Sequence, residues 1–88
     1  MASAELQHRW RTKHRFTKQQ LNVMARRLVH EDLNETATAF DLRGKGEAIA
    51  FCSYLAKGLT QYAERDPKAR QLLEIFSEAY RRDRDLYT

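Results

Sequence analysis

Proline and glycine are scarce in this sequence, which has one proline and three glycines among 88 residues. Because these residues terminate helices and form tight turns, their scarcity argues against a turn-rich β fold and favours long helices. The length allows a single domain. A composition of 42% hydrophobic and 32% charged residues is typical of a folded chain rather than a disordered one. We therefore expect a small all-α domain.

The sequence also contains little cysteine and no long apolar run. Cys52 is the only cysteine, so no intramolecular disulfide can form. It lies in the apolar run 48–63, where we expect a buried thiol, and a lone thiol fits a reducing compartment, the cytoplasm. No apolar run reaches the ~18 residues of a membrane span, and no apolar core of a secretory signal follows the N-terminus. We expect no membrane partner.

The residue patterns that catalysis and metal binding require are missing too. His30 and Glu31 begin like the HExxH zinc signature, but Asn34 stands where the second histidine is needed. No serine or cysteine nucleophile lies in a recognisable catalytic pattern. Gly44-Lys45-Gly46 lacks the spacing of a phosphate-binding P-loop. We interpret it as an interhelical loop; the alternative is a phosphate site at the start of the next helix, helped by Arg43 and Lys45. We predict no enzymatic activity, no metal and no cofactor.

Acidic residues are nearly absent from the beginning of the chain. Residues 1–20 contain five basic side chains against Glu5 alone, whereas residues 21–88 contain eleven basic and eleven acidic ones. The whole excess of +4 therefore belongs to the N-terminal region. We divide the chain into a basic, aromatic-containing arm, 1–17, and a neutral helical bundle domain, 18–88. Such an arm indicates an anionic partner.

The arm alternates between two kinds of residue. From 9 to 15 every odd position is basic, while the even positions hold histidine, threonine and the aromatic residues. In an extended conformation the cations would face one way and the rings the other. The basic face could then contact phosphates while Trp10 and Phe16 anchor the arm to the bundle, or the rings could stack on unpaired bases. A helix from Ser3, basic on nearly all sides, and a flexible tail are the alternatives. Together with the smaller basic cluster that follows, the candidate binding residues are Arg9, Trp10, Arg11, Lys13, Arg15, Phe16, Lys18, Arg26 and Arg27.

The body predicts three long helices. One helical face is shared by Leu21, Met24, Ala25 and Leu28. This pattern favours a first helix from about 18 to 31, then a kink or restart near 32–34 and a shorter helix to about 42. The alternative is one long helix over the same residues. Gly44 is expected to be the left-handed residue that closes this helix. A central helix is predicted over 47–64 and a last one over 67–84, where Asp66-Pro67 supplies an N-cap and a first-turn proline. The residues expected to face inward on the last helix are Ala69, Leu72, Leu73, Ile75, Phe76, Ala79 and Tyr80.

Two functions fit this architecture. The leading hypothesis is a small non-enzymatic nucleic-acid-binding or regulatory protein whose arm contacts the phosphates of DNA or RNA. The alternative is a small adaptor or inhibitor that binds an acidic groove on a larger protein. A homodimer is expected in either case, because the apolar positions of 48–63 and 69–80 cover more surface than so small a bundle hides.

Overall fold

The structure is a computed structural model that describes residues 15–88, and within this range it is helical with no strand. The helices are α1 (Arg27–Ala39), α2 (Lys45–Ala63) and α3 (Pro67–Tyr87). Their connections are short, five residues after α1 and three after α2. The prediction of a small all-α bundle with three long helices is confirmed. None of the described helices is both long enough and apolar enough to cross a membrane.

The central helix α2 packs against both of its neighbours. Ala37 of α1 and Ala48 of α2 are buried, and so is Ala63 at the end of α2. Alanine allows helix backbones to approach closely, but it buries little apolar area. The ring of Phe40, directly after α1, contacts the ring of Phe51 in α2, with centroids 4.6 Å apart and the ring planes tilted by 41°. The core between the helices is therefore thin.

The start of α3 is as the sequence predicts. The Asp66 carboxylate accepts hydrogen bonds from the amides of Lys68, at 2.9 Å, and Ala69, at 3.5 Å, and Pro67 is the first helical residue. The Arg70 guanidinium donates to the carbonyls of Ala63 and Glu64, each at 3.3 Å. It thereby satisfies acceptors that the C-terminus of α2 leaves free. The helix continues to Tyr87, beyond the predicted end at 84.

The first helix starts later than predicted. Residues 18–26 are not helical, and α1 begins at Arg27. Met24, placed by the helical pattern on the inner face, is 100% exposed. Leu21, Val23 and Ala25 instead line one groove, which is the alternation of an extended segment. The prediction of a helix over 18–31 is wrong because this short stretch satisfies both periodicities, and the extended one reaches the groove between α1 and α2.

The expected kink near 32–34 is absent, since α1 runs through these residues without a break. Its end also differs from the prediction. The left-handed residue is Asp41, with φ of 55°, whereas Gly44, with φ of 153°, precedes α2 as its N-cap. The Leu42 amide donates to the Ala37 carbonyl at 2.8 Å and the Asp41 amide to Thr38 at 3.4 Å. These two bonds define a Schellman motif, which ends the helix before the glycine is reached.

Several apolar side chains lie outside the core. Cys52, predicted to be buried, is exposed, because it lines the open groove between α1 and α2. On α3 the predicted inward face is only partly covered: Ala69, Leu73 and Ala79 are half-buried. The other four predicted positions are exposed, namely Leu72, Ile75, Phe76 and Tyr80. One helix, α2, cannot cover an apolar stripe as wide as that of α3.

Candidate nucleic-acid interface

The last residues of the predicted arm lie beside α2. Arg15, Phe16 and Lys18 are within the described residues, and each lines a hollow whose other wall contains α2. The remaining arm residues predicted to bind, Arg9, Trp10, Arg11 and Lys13, lie outside the described range. The site is therefore described from Arg15 onward.

The first hollow is at the N-terminus of α2. It has a volume of about 500 Å³ and is lined by Lys18, Arg43, Gly44, Gly46, Glu47 and Ala50. The first turn of α2 has no side-chain cap. Two cations thus meet at a helix end whose dipole is positive.

Glu47 is the acidic residue of this hollow. Its carboxylate accepts the Arg43 amide at 2.7 Å and the Arg43 guanidinium at 3.2 Å. The hydrogen bond from the backbone amide, followed by that from the side chain, lowers the pKa of Glu47 below its ordinary value. Glu47 is therefore ionised at neutral pH and offsets the charge of Arg43, while Lys18 remains beside it.

The second hollow lies farther along α2. Its volume is about 670 Å³, and it is lined by Arg15, Phe16, Ala50, Ser53, Tyr54 and Lys57. The four α2 residues have the spacing i, i+3, i+4 and i+7, so they form one stripe of the helix. Phe16 and Tyr54 are both largely exposed, and the Arg15 guanidinium is 5.7 Å from the centroid of the Phe16 ring. This hollow combines two cations with two exposed aromatic rings.

The two hollows adjoin, because Ala50 lines both of them. We call the combined area the arm–α2 surface. Its functional side chains are the cations Arg15, Lys18, Arg43 and Lys57 and the rings of Phe16 and Tyr54. Against these four cations the surface contains one carboxylate, that of Glu47, so its net charge is positive.

The second basic cluster of the sequence is not part of this surface. Arg26 is the N-cap of α1 and Arg27 its first residue, and neither lines either hollow. The structure thus brings together three of the predicted binding residues, Arg15, Phe16 and Lys18, and leaves Arg26 and Arg27 outside. Sequence reasoning did not include Tyr54 and Lys57 among the candidates, and it considered Arg43 only as part of a less favoured phosphate site at the start of α2. The spacing of Ala50, Ser53, Tyr54 and Lys57 was the available signal, since it predicts a helical stripe without large aliphatic residues.

An apolar groove of about 440 Å³ lies on another side of α2. Leu21, Val23 and Ala25 form one wall, and residues of α1 and α2 form the rest. At its edge Lys45 Nζ donates a hydrogen bond to His30 Nδ1 at 2.9 Å. This bond links α1 to the start of α2.

Within residues 15–88 no group of three or more histidine, cysteine, aspartate or glutamate side chains is placed to hold a metal ion. Comparisons with protein-family models, with curated proteins and with solved structures each give no significant match. The function is therefore argued from the arm–α2 surface itself.

Proposed function

We propose that this chain is a small non-enzymatic nucleic-acid-binding protein with a regulatory role, which acts through the arm–α2 surface. The observation that carries the proposal is the convergence of Arg15 and Lys18 with Arg43 and Lys57 along two adjoining hollows. A cluster of basic side chains from two parts of the chain is typical of a surface that binds phosphates. In the cytoplasm such a protein meets both RNA and DNA.

The cations and the rings have different roles in this proposal. Arg15, Lys18 and Lys57 contact successive phosphates, and Arg43 contributes less because it is paired with Glu47. The arm residues Arg9, Arg11 and Lys13 extend the same basic sequence. Phosphate contacts of this kind give affinity without sequence specificity.

The exposed rings favour a single strand over a duplex. Phe16 and Tyr54 line the same hollow as two of the cations, and aromatic rings beside a cationic groove are the usual stacking platform for unpaired bases. Stacking contributes about 1–3 kcal/mol per base and tolerates any base. We therefore expect single-stranded DNA or RNA to bind more tightly than duplex DNA, with little sequence preference.

The test is fluorescence anisotropy of labelled single-stranded DNA, single-stranded RNA and duplex DNA, titrated with the full chain at several salt concentrations. With four to five phosphate contacts, the logarithm of the binding constant should fall against the logarithm of salt with a slope of about −3 to −4. Lys57→Gln should weaken binding and make the slope shallower by about 1. Tyr54→Ala should weaken single-strand binding with little change in slope, because it removes stacking and no charge.

Arg81→Gln is the matched control for charge. Arg81 is exposed on α3 and lines neither hollow, so this variant lowers the net charge by the same amount as Lys57→Gln. Equal losses for Arg81→Gln and Lys57→Gln would mean that net charge, not the arm–α2 surface, is responsible. Absence of binding to all three nucleic acids at low salt would contradict the proposal and favour the adaptor hypothesis, in which an acidic protein groove receives the arm.

A further inference from the structure

A second apolar stripe, on α3, has no partner within the described part of the chain. Leu72, Ile75, Phe76, Ala79 and Leu86 lie at i, i+3, i+4, i+7 and i+14, which places them on one side of the helix. We call this side the outer face of α3. Leu72, Ile75, Phe76 and Leu86 are exposed by 57%, 53%, 69% and 64%. The spacing of 72, 79 and 86 is a heptad repeat, the pattern of helices that pack against another helix.

The area exposed on this face is close to the area that each protomer buries in a specific dimer interface. With ~200 Å² for a fully exposed large apolar side chain, the four large residues expose on the order of 500 Å². Apolar atoms form about 65% of a homodimer interface. The face therefore corresponds to roughly 800 Å² per protomer, the standard size for a specific interface.

The thin core gives a reason for such a contact. In residues 15–88 the buried residues are the three alanines Ala37, Ala48 and Ala63, and no large side chain is fully buried. Ordering each residue costs about 1–2 kcal/mol of backbone entropy, and small domains offset this cost only by burying most of their apolar surface. A partner that covers α3 would supply this missing burial.

A second copy of the chain fits the face better than the chain's own N-terminal residues. Residues 1–14 contain only three large apolar side chains, Met1, Leu6 and Trp10, too few to cover a face that extends from Leu72 to Leu86. A second α3 has the required length and the same heptad spacing. We propose that the protein is a homodimer in which the outer faces of two α3 helices pack against each other.

The first experiment is analytical ultracentrifugation of the full chain over a wide concentration range. The wild type should sediment at twice its monomer mass of 10.4 kDa. Phe76→Glu should raise the dimer dissociation constant at least about 30-fold, because a central aromatic side chain is a typical hot spot. Met24→Glu is the matched control: it also replaces an exposed apolar residue by glutamate, but on the segment before α1, and should leave the dimer unchanged.

The second experiment tests the contact itself by cross-linking, with Cys52→Ser as the background. Ala79→Cys, at the middle of the outer face, should form a disulfide-linked dimer. Arg81→Cys, exposed on the opposite side of α3, should not, and a cross-link through Arg81→Cys but not through Ala79→Cys would overturn the proposal. A wild-type monomer at every concentration, or a dimer insensitive to Phe76→Glu, would overturn the proposal. If the wild type were a monomer and Phe76→Glu shifted its Trp10 emission to the red, the occupant of the face would be the arm.

Discussion

At the scale of single residues, Asp41 has the most informative backbone conformation. Its φ of 55° is in the left-handed region, where a Cβ atom is unfavourable and glycine is the usual residue. Asp41 is also the residue that closes α1 through a Schellman motif. The chain thus tolerates a strained position directly after a helix whose sequence is only moderately helix-forming.

Asp41→Gly should therefore stabilise the protein by about 0.5–1 kcal/mol, because it removes the strain and preserves both hydrogen bonds of the motif. The free energy of unfolding from urea titration measures the effect. Asp41→Ala is the control: it removes the carboxylate but keeps the Cβ, so it should give no gain. Equal stabilisation by alanine and glycine would show that the carboxylate, not the backbone, is the source of the effect.

Asp66 is a residue whose role the sequence predicts fully. Aspartate before proline at a helix start is a local pattern, and the carboxylate caps two amides of α3 as expected. Asp66→Ala should cost about 1 kcal/mol, and Asp66→Asn should retain most of the stability, since both aspartate and asparagine are good N-caps. Urea titration of the two variants separates the cap from a purely electrostatic effect, which asparagine would also abolish.

At the scale of elements, the segment before α1 shows where a sequence pattern is ambiguous. Leu21, Val23 and Ala25 alternate, while Leu21, Met24, Ala25 and Leu28 have helical spacing, and the residues alone do not decide between the two. The decision comes from tertiary structure, because the groove between α1 and α2 accepts an extended segment. Asp66-Pro67, by contrast, acts within one turn of helix and needs no tertiary contact, so it was predictable.

A pair of proline substitutions tests the conformation of this segment. In a helix interior proline costs about 3 kcal/mol or more, but an extended segment without backbone hydrogen bonds accepts it. Asn22→Pro should change the free energy of unfolding by less than about 0.5 kcal/mol. Asn34→Pro, the same substitution inside α1, should cost the full amount. A loss of similar size for Asn22→Pro would mean that residue 22 is helical.

Only the arm residues of the arm–α2 surface could be predicted from the sequence. The concentration of basic residues near the N-terminus, which identified Arg15, Phe16 and Lys18, is visible in the sequence. Arg43 and Lys57 are separated from them by more than 20 residues, and only the packing of the arm's last residues beside α2 brings them together. A basic stretch can be recognised from composition, whereas the helix that completes its surface depends on the fold.

At the scale of the whole molecule, the number of helices was predictable and the extent of their burial was not. Periodicity shows which side of α3 is apolar, but one stripe can face α2, a second copy or solvent. Leu72 and Leu73 are adjacent leucines with the same hydrophobicity, yet Leu73 is half-buried and Leu72 is exposed. The width of the stripe, more than any single residue, is the basis for our proposal that a second copy packs on α3.

The last turn of α3 offers a test of where Tyr87 lies relative to Asp32 in α1. The negative charge of Asp32 in α1, followed by the partial loss of solvent, raises the pKa of Tyr87 above its ordinary value of 10.0. Because folding raises this pKa, the folded state holds the phenolic proton more tightly than the unfolded state. The resulting stability is complete below pH 10 and is lost as the pH rises through the folded-state pKa.

Asp32→Asn should therefore lower the pKa of Tyr87 toward that of an ordinary tyrosine, since the main cause of the shift is removed. An ultraviolet absorbance titration follows the ionisation of the four tyrosines, and subtraction of the Tyr87→Phe curve isolates Tyr87. Glu74→Gln, which removes an acid of α3 that does not affect Tyr87, should leave the curve unchanged. An unaltered Tyr87 titration in Asp32→Asn would mean that the last turn of α3 is not held against α1. That outcome would leave α2 as the helix that joins the other two, since it packs against both of them.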